Sequence, residues 1–246
     1  RDAARGKERF AWWDRRGKKL ETVGPTVESA GSAFRLSPEG RRVAYVSRTD
    51  IWVLDIARGN NARLTFQGGT LPIWTPDGKQ IYYLCRPRGI CRKAADWSGE
   101  EEVVGAGFLE HPTSITADGQ TLLLGFHDIY RLTAAVGAKP QPWLKTQFQE
   151  GWGAVSPHGR WAAYHSNETG RDEIYVQGYP ELRGKRQVSQ TGGEFPRWSS
   201  DGRELYWLDP GGTVMAAEMK PEQAGIESGK PEALFRVLAT MSSWFQ

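Results

Sequence analysis

Three glutamates stand a short way ahead of three similar tetrapeptides: Glu110 before "TADG" (116–119), Glu150 before "SPHG" (156–159) and Glu194 before "SSDG" (199–202). Each lies five or six residues ahead of the tetrapeptide's first residue. His111 follows Glu110, Trp152 follows Glu150 by two residues, and His127, Asp128, His165, Asn167 and Glu168 come after the corresponding downstream segments. Carboxylates and imidazoles converging on one axis could hold a divalent metal and activate water, the chemistry of phosphoester or lactone hydrolysis. Glu110, His111, Glu150 and Glu194 are the ligands such a metal would take. The same acids could instead cap loop amides or solvate a rim, with the histidines ending strands. Under that reading Glu110, His111, Glu150, Trp152, His165 and Glu194 form a binding face for a protein, peptide or small molecule.

Other catalytic patterns are missing. There is no GxSxG elbow, no HExxH and no GxxxxGK[ST] loop, and the lookalike "GIESGKP" (225–231) lacks a hydroxyl residue after Lys230. Neither a kinase Gly-rich loop nor an HRD-type segment occurs. "NET" (167–169) matches a glycosylation sequon, a pattern common by chance.

The elements that would position these residues follow from the tetrapeptides. In "WTPDGKQIYYL" (74–84), Pro76 pre-sets φ, Asp77 can bond nearby amides and Gly78 accepts positive φ, so the stretch reads as a tight hairpin with Asp77 as a turn residue. The following strand is apolar on both faces and so needs cover on both sides. The unit recurs with turn glycines Gly40, Gly78, Gly119, Gly159 and Gly202, at spacings of 38, 41, 40 and 43 residues. A period near 40 with several strands per unit predicts an all-β protein, a β-propeller of four-stranded antiparallel blades. The expected blades are 32–66, 70–104, 110–144, 150–190 and 194–237 within a single domain, 1–246. An N-terminal hairpin (9–24) and a C-terminal remnant (238–246) are expected to form an incomplete sixth blade, whose exposed face favours a homodimer. The acids then fall on the loop side, around a central channel, and His158 alone lies in a turn on the other side.

Composition narrows the class. Hydrophobic content of 39%, charged content of 25% and eleven Trp describe a folded, aromatic-rich chain rather than a disordered one. The net charge of +3 is dispersed, densest at "RRGKK" (15–19), which reads as solvated surface and not as a nucleic-acid site. No apolar run reaches membrane-spanning length and no signal-peptide h-region is visible, so the compartment, periplasmic or cytoplasmic, stays open. Cys85 and Cys91 flank "RPRGI"; across a five-residue loop they would face each other and could form a disulfide, or remain free and buried.

The "SPDG"-like turn, an apolar strand, then "DIWVLD" or "DEIYVQ", then "RLT" resembles the TolB-type (WD40-like) β-propeller repeat. "FAWWDRRGKKLETVG", "LSPEGRRVAYV", "DIWVLDIARGNNARLTF" and "SNETGRDEIYVQGYP" are similar to propeller segments C-terminal to bacterial serine/threonine kinase domains and in related transcriptional regulators. The resemblance implies a bacterial interaction or sensing platform. It also implies further strand before "WWDRRG" and a further module after "LFRV", so a piece of a longer protein is expected.

Overall fold

The structure, a computed structural model, describes residues 7–28, 33–222 and 225–237. The five tetrapeptides are turns, and their chemistry is local. In the second, the Thr75 hydroxyl donates to Asp77 Oδ1 at 2.6 Å, and the same oxygen accepts from the Lys79 amide at 3.0 Å. These bonds hold the Asp77 carboxyl below its ordinary value, the Thr75 bond contributing most. Asp118 and Asp201 repeat the arrangement with Thr116 and Ser199.

Each turn joins the first two strands of a four-stranded antiparallel sheet. After a separate hairpin of β1 (Lys7–Trp13) and β2 (Lys19–Glu28), blade 1 is β3 (Phe34–Leu36), β4 (Arg42–Ser47), β5 (Asp50–Asp55) and β6 (Asn61–Arg63). Blade 2 is β7 (Thr70–Trp74), β8 (Gln80–Cys85), β9 (Gly89–Ala94) and β10 (Glu102–Ala106). Blade 3 is β11 (Pro112–Ile115), β12 (Thr121–Gly125), β13 (Ile129–Thr133) and β14 (Gln141–Leu144). Blade 4 is β15 (Glu150–Val155), β16 (Trp161–Ser166), β17 (Glu173–Gly178) and β18 (Arg186–Gln187). Blade 5 is β19 (Glu194–Trp198), β20 (Glu204–Leu208) and β21 (Thr213–Pro221), with β23 (Glu232–Arg236) as fourth strand. A short β22 (Ile226–Ser228), absent from the sequence expectation, pairs with the far end of β21. The hairpin runs to Glu28, four residues beyond the expected end at 24. The C-terminal remnant, 238–246, lies outside the described residues. Among the described residues no helix is long and apolar enough to cross a membrane.

The chain divides into two compact units, one running through Pro112 with Ala135–Gly137, the other Thr113–Ala134 with the chain from Ala138 onward. In the first, the doubly apolar strands pack blade on blade: Ile51, Val53 and Leu64 of blade 1 lie against Trp74, Ile81 and Tyr83 of blade 2. The β1–β2 hairpin covers part of blade 1, where Phe10 meets Phe34 and Tyr45 edge-on at 5.4 and 5.5 Å. Cys85 and Cys91 form a disulfide with Cα atoms 5.8 Å apart. They do not face each other as a five-residue loop would require. The strands close to a three-residue loop, so Cys85 pairs with Gly89 and Cys91 with Tyr83, and the bridge runs diagonally.

In the second unit, Leu123, Ile129 and Leu144 of blade 3 pack on Ala162, Tyr164 and Tyr175 of blade 4. The other face of blade 4, with Ala163, Ile174 and Val176, packs on Leu205, Trp207 and Ala217 of blade 5. Two polar devices repeat in both units. The Trp74 indole donates to Arg35 O at 3.0 Å, and the Trp198 indole, at the same repeat position, donates to Ala154 O at 2.9 Å. Asp50 at the head of β5 accepts from Arg63 at 2.7 Å, Thr65 at 3.0 Å and the Gly68 amide at 3.1 Å. Glu173 at the head of β17 likewise accepts from Arg171, Ser189 and the Gly192 amide. These buried carboxylates fasten the exits of the fourth strands of blades 1 and 4.

Candidate functional site at the loop side of blades 4 and 5

The first strands of blades 2, 4 and 5 share a β-bulge. Two residues of β7 oppose one of β8 between the pairs Thr70↔Leu84 and Ile73↔Tyr82, and the same slip separates Gly151↔His165 from Ala154↔Ala163 and Glu194↔Leu208 from Arg197↔Tyr206. At each bulge one large side chain sits at positive φ: Leu71 at 56°, Trp152 at 55° and Phe195 at 60°. A left-handed non-glycine residue costs about 1–2 kcal/mol, so packing must hold it there. Trp152 and Phe195 hold each other, ring on edge, with centroids 4.9 Å apart.

His165 completes this cluster. It is 8% exposed, its ring lies 6.2 Å from that of Phe195, and its Nδ1 is buried with no hydrogen-bond partner. A Cβ on Gly151 would come within 2.6 Å of its Nε2, so the glycine makes the room for the imidazole. Burial pushes the imidazole down to about 4, against the opposing pull of Asp172, so it is neutral at pH 7. Glu194 and Asp172 are half-buried. Burial raises the Glu194 carboxyl, and the Asp172 charge adds to the shift.

Glu150 is placed differently. It is 1% exposed, its backbone amide bonds to His127 O at 2.9 Å, and its carboxylate accepts from the Thr146 hydroxyl while Oε2 is buried without a partner. Burial raises its carboxyl, and the Asp128 charge adds to the rise against the Thr146 bonds and Lys185. Glu150 stands opposite Ser166, one residue from the Gly151↔His165 pair, so it points to the blade 3 side of the sheet while His165 points to blade 5. The six-residue offset of Glu150 from its turn and the five-residue offset of Glu194 therefore have opposite consequences, because one residue reverses the face.

The structure thus brings together Trp152, His165 and Phe195, with Asp172 acting on both His165 and Glu194 through its charge. Glu110, its Oε2 buried without a hydrogen-bond partner, and His111 belong to the other unit. His127 stacks edge-on with Phe126, Asp128 pairs with Lys145, Glu168 with Lys185, and Asn167 accepts from the Gln149 amide. His158 bonds to Asp201 O at 3.1 Å in the turn region. Among the described residues no group of three or more His, Cys, Asp or Glu side chains could hold a metal ion.

Phe195 and Asp172 escaped the sequence reading. The signal for Phe195 was present: Leu71, Trp152 and Phe195 all stand four residues ahead of their turns. Asp172 carries no such repeat.

Residues 4–106, less than half of the chain, match the family model described as the dipeptidyl peptidase IV N-terminal region. No curated protein matches the chain. Among solved structures, the chain is similar to a putative TolB from Agrobacterium tumefaciens, with a TM-score of 0.70, 17% identity, and 86% of this chain and 82% of that one covered. It is also similar to TolB from Acinetobacter baumannii, with a TM-score of 0.66, 17% identity, and 89% of this chain covered, and it spans only 60% of that protein. An oligogalacturonate lyase in complex with manganese aligns with a TM-score of 0.63 at 14% identity, covering 92% of this chain and 73% of that one. At these identities the likeness speaks for the fold alone: the chain has the fold of a TolB-like β-propeller.

Proposed function

We propose that the chain is a non-catalytic TolB-like binding module that holds a protein, peptide or small-molecule ligand on the loop side of blades 4 and 5, as a platform within a longer protein such as a kinase or transcriptional regulator. The observation that carries this reading is the pair of left-handed aromatics, Trp152 and Phe195, set against a buried imidazole whose Nδ1 has no partner. Held strain clusters at ligand clamps. A buried unsatisfied nitrogen costs about 1–3 kcal/mol, which a ligand's donor group would offset.

The reading is tested on the full chain with carbon-labelled histidine, followed by NMR during titration with pooled short peptides, sugars and amino-acid amides. The expected result is a shift of the His165 ring signals with His158 unmoved, and loss of that shift in Phe195→Leu while the thermal midpoint is kept. Shifts confined to His158, or none at His165 with any pool, would sink the proposal.

The alternative, a metal-assisted hydrolase using Glu110, His111, Glu150 and Glu194, draws support from one fold relative solved with manganese. Against it, Glu150 and Glu194 do not share a face. Turnover of activated esters that a chelator abolishes would restore it.

A further inference from the structure

The β1–β2 hairpin ends in a tip that the binding face of blades 4 and 5 does not use. Its turn, Asp14 to Lys18, is fixed by Asp14, whose Oδ1 accepts from the Arg16 and Lys18 amides at 2.9 Å each. Arg15, Arg16, Lys18 and Lys19 all point into solvent there. Beside these cations stand three large apolar residues, Trp12 at 39%, Trp13 at 51% and Leu20 at 60% exposure.

Trp12 and Trp13 are consecutive residues of one strand of a two-stranded ribbon, so they project to opposite faces. A partner with a single docking surface could cover one of them but not both. A medium that surrounds the tip could cover both. Indole rings favour the headgroup layer of a bilayer, where an apolar body and a polar N–H are satisfied together. Trp13 is paired with Lys19, which places an indole and an ammonium at the same depth, as a layer carrying lipid phosphates demands.

We propose that this hairpin tip docks the protein on an anionic lipid surface, the cations meeting phosphates while Trp12, Trp13 and Leu20 enter the interfacial layer. The mode is peripheral, through a rigid turn, with no spanning segment involved.

The test is co-sedimentation of the full chain with vesicles of phosphatidylcholine alone and of phosphatidylcholine mixed in equal parts with phosphatidylglycerol, together with quenching of Trp fluorescence by brominated lipid. Binding to the mixed vesicles only, weakened by salt and accompanied by quenching, is expected. The double variant R16S/K18S should lower the partition coefficient about thirtyfold, taking about 1 kcal/mol per cation near the surface. W12S/W13S should remove most of the quenching. Both variants change exposed side chains, and an unchanged thermal midpoint verifies their folding. No binding, equal binding to both vesicle types, or binding indifferent to both variants would overturn the proposal. Retention by polyglutamate or single-stranded DNA without vesicle binding would also overturn it, and would assign the tip to an acidic protein or to nucleic acid.

Discussion

His165 shows what the site costs the fold at the scale of one residue. Its folded pKa is depressed from 6.5 to about 4, so the unfolded chain binds more protons between those values. The stabilisation is complete above pH 6.5 and is lost as pH falls toward 4, on the order of 3 kcal/mol in all. His165→Gln should flatten this part of the profile, as measured by urea midpoints at neutral and acidic pH; a profile as steep as the wild type's would refute the assignment. Glu194 has the opposite sign, because its raised carboxyl destabilises the folded state as pH rises through its folded value. The types of these residues were visible in the sequence, and their orientations were not. Glu150 and Glu194 look equivalent by spacing, yet a one-residue offset beside a bulge turns them to opposite faces.

The blade was legible at the scale of elements because its information is local. Pro76, Asp77 and Gly78 make a turn wherever they stand, and the strand that follows declares by its apolar faces that it is covered twice. What the sequence hid is register and side-chain pairing: the short strand β22 that folds back on β21, the diagonal path of the Cys85–Cys91 bridge, and the clamps at Asp50 and Glu173, with partners up to 19 residues away. The clamp in blade 4 makes a direct prediction. Glu173→Ala leaves the Ser189 hydroxyl and the Gly192 amide without their buried acceptor, and should cost about 2–4 kcal/mol by chemical denaturation. A cost below about 1 kcal/mol, the range of a surface ion pair, would show that the clamp is solvated instead.

At the scale of the molecule, the described residues form five blades and an N-terminal hairpin, with the fold of a TolB-like β-propeller. That architecture followed from five turn glycines at near-regular spacing. Function did not follow in the same way, because a propeller supplies positions for loops and leaves their chemistry free. We also propose that the hairpin, a two-stranded sheet where a blade has four, promotes a homodimer; light scattering across protein concentration should then give a rising mass.

The central claim is that the loop side of blades 4 and 5 is a binding site, and crystals of the full chain soaked with a library of small hydrogen-bond-donor fragments test it most directly. Fragments seated against Phe195 with a hydrogen-bonding group on His165 Nδ1 are expected. Fragments that bind elsewhere and leave that nitrogen untouched, across the library, would contradict it.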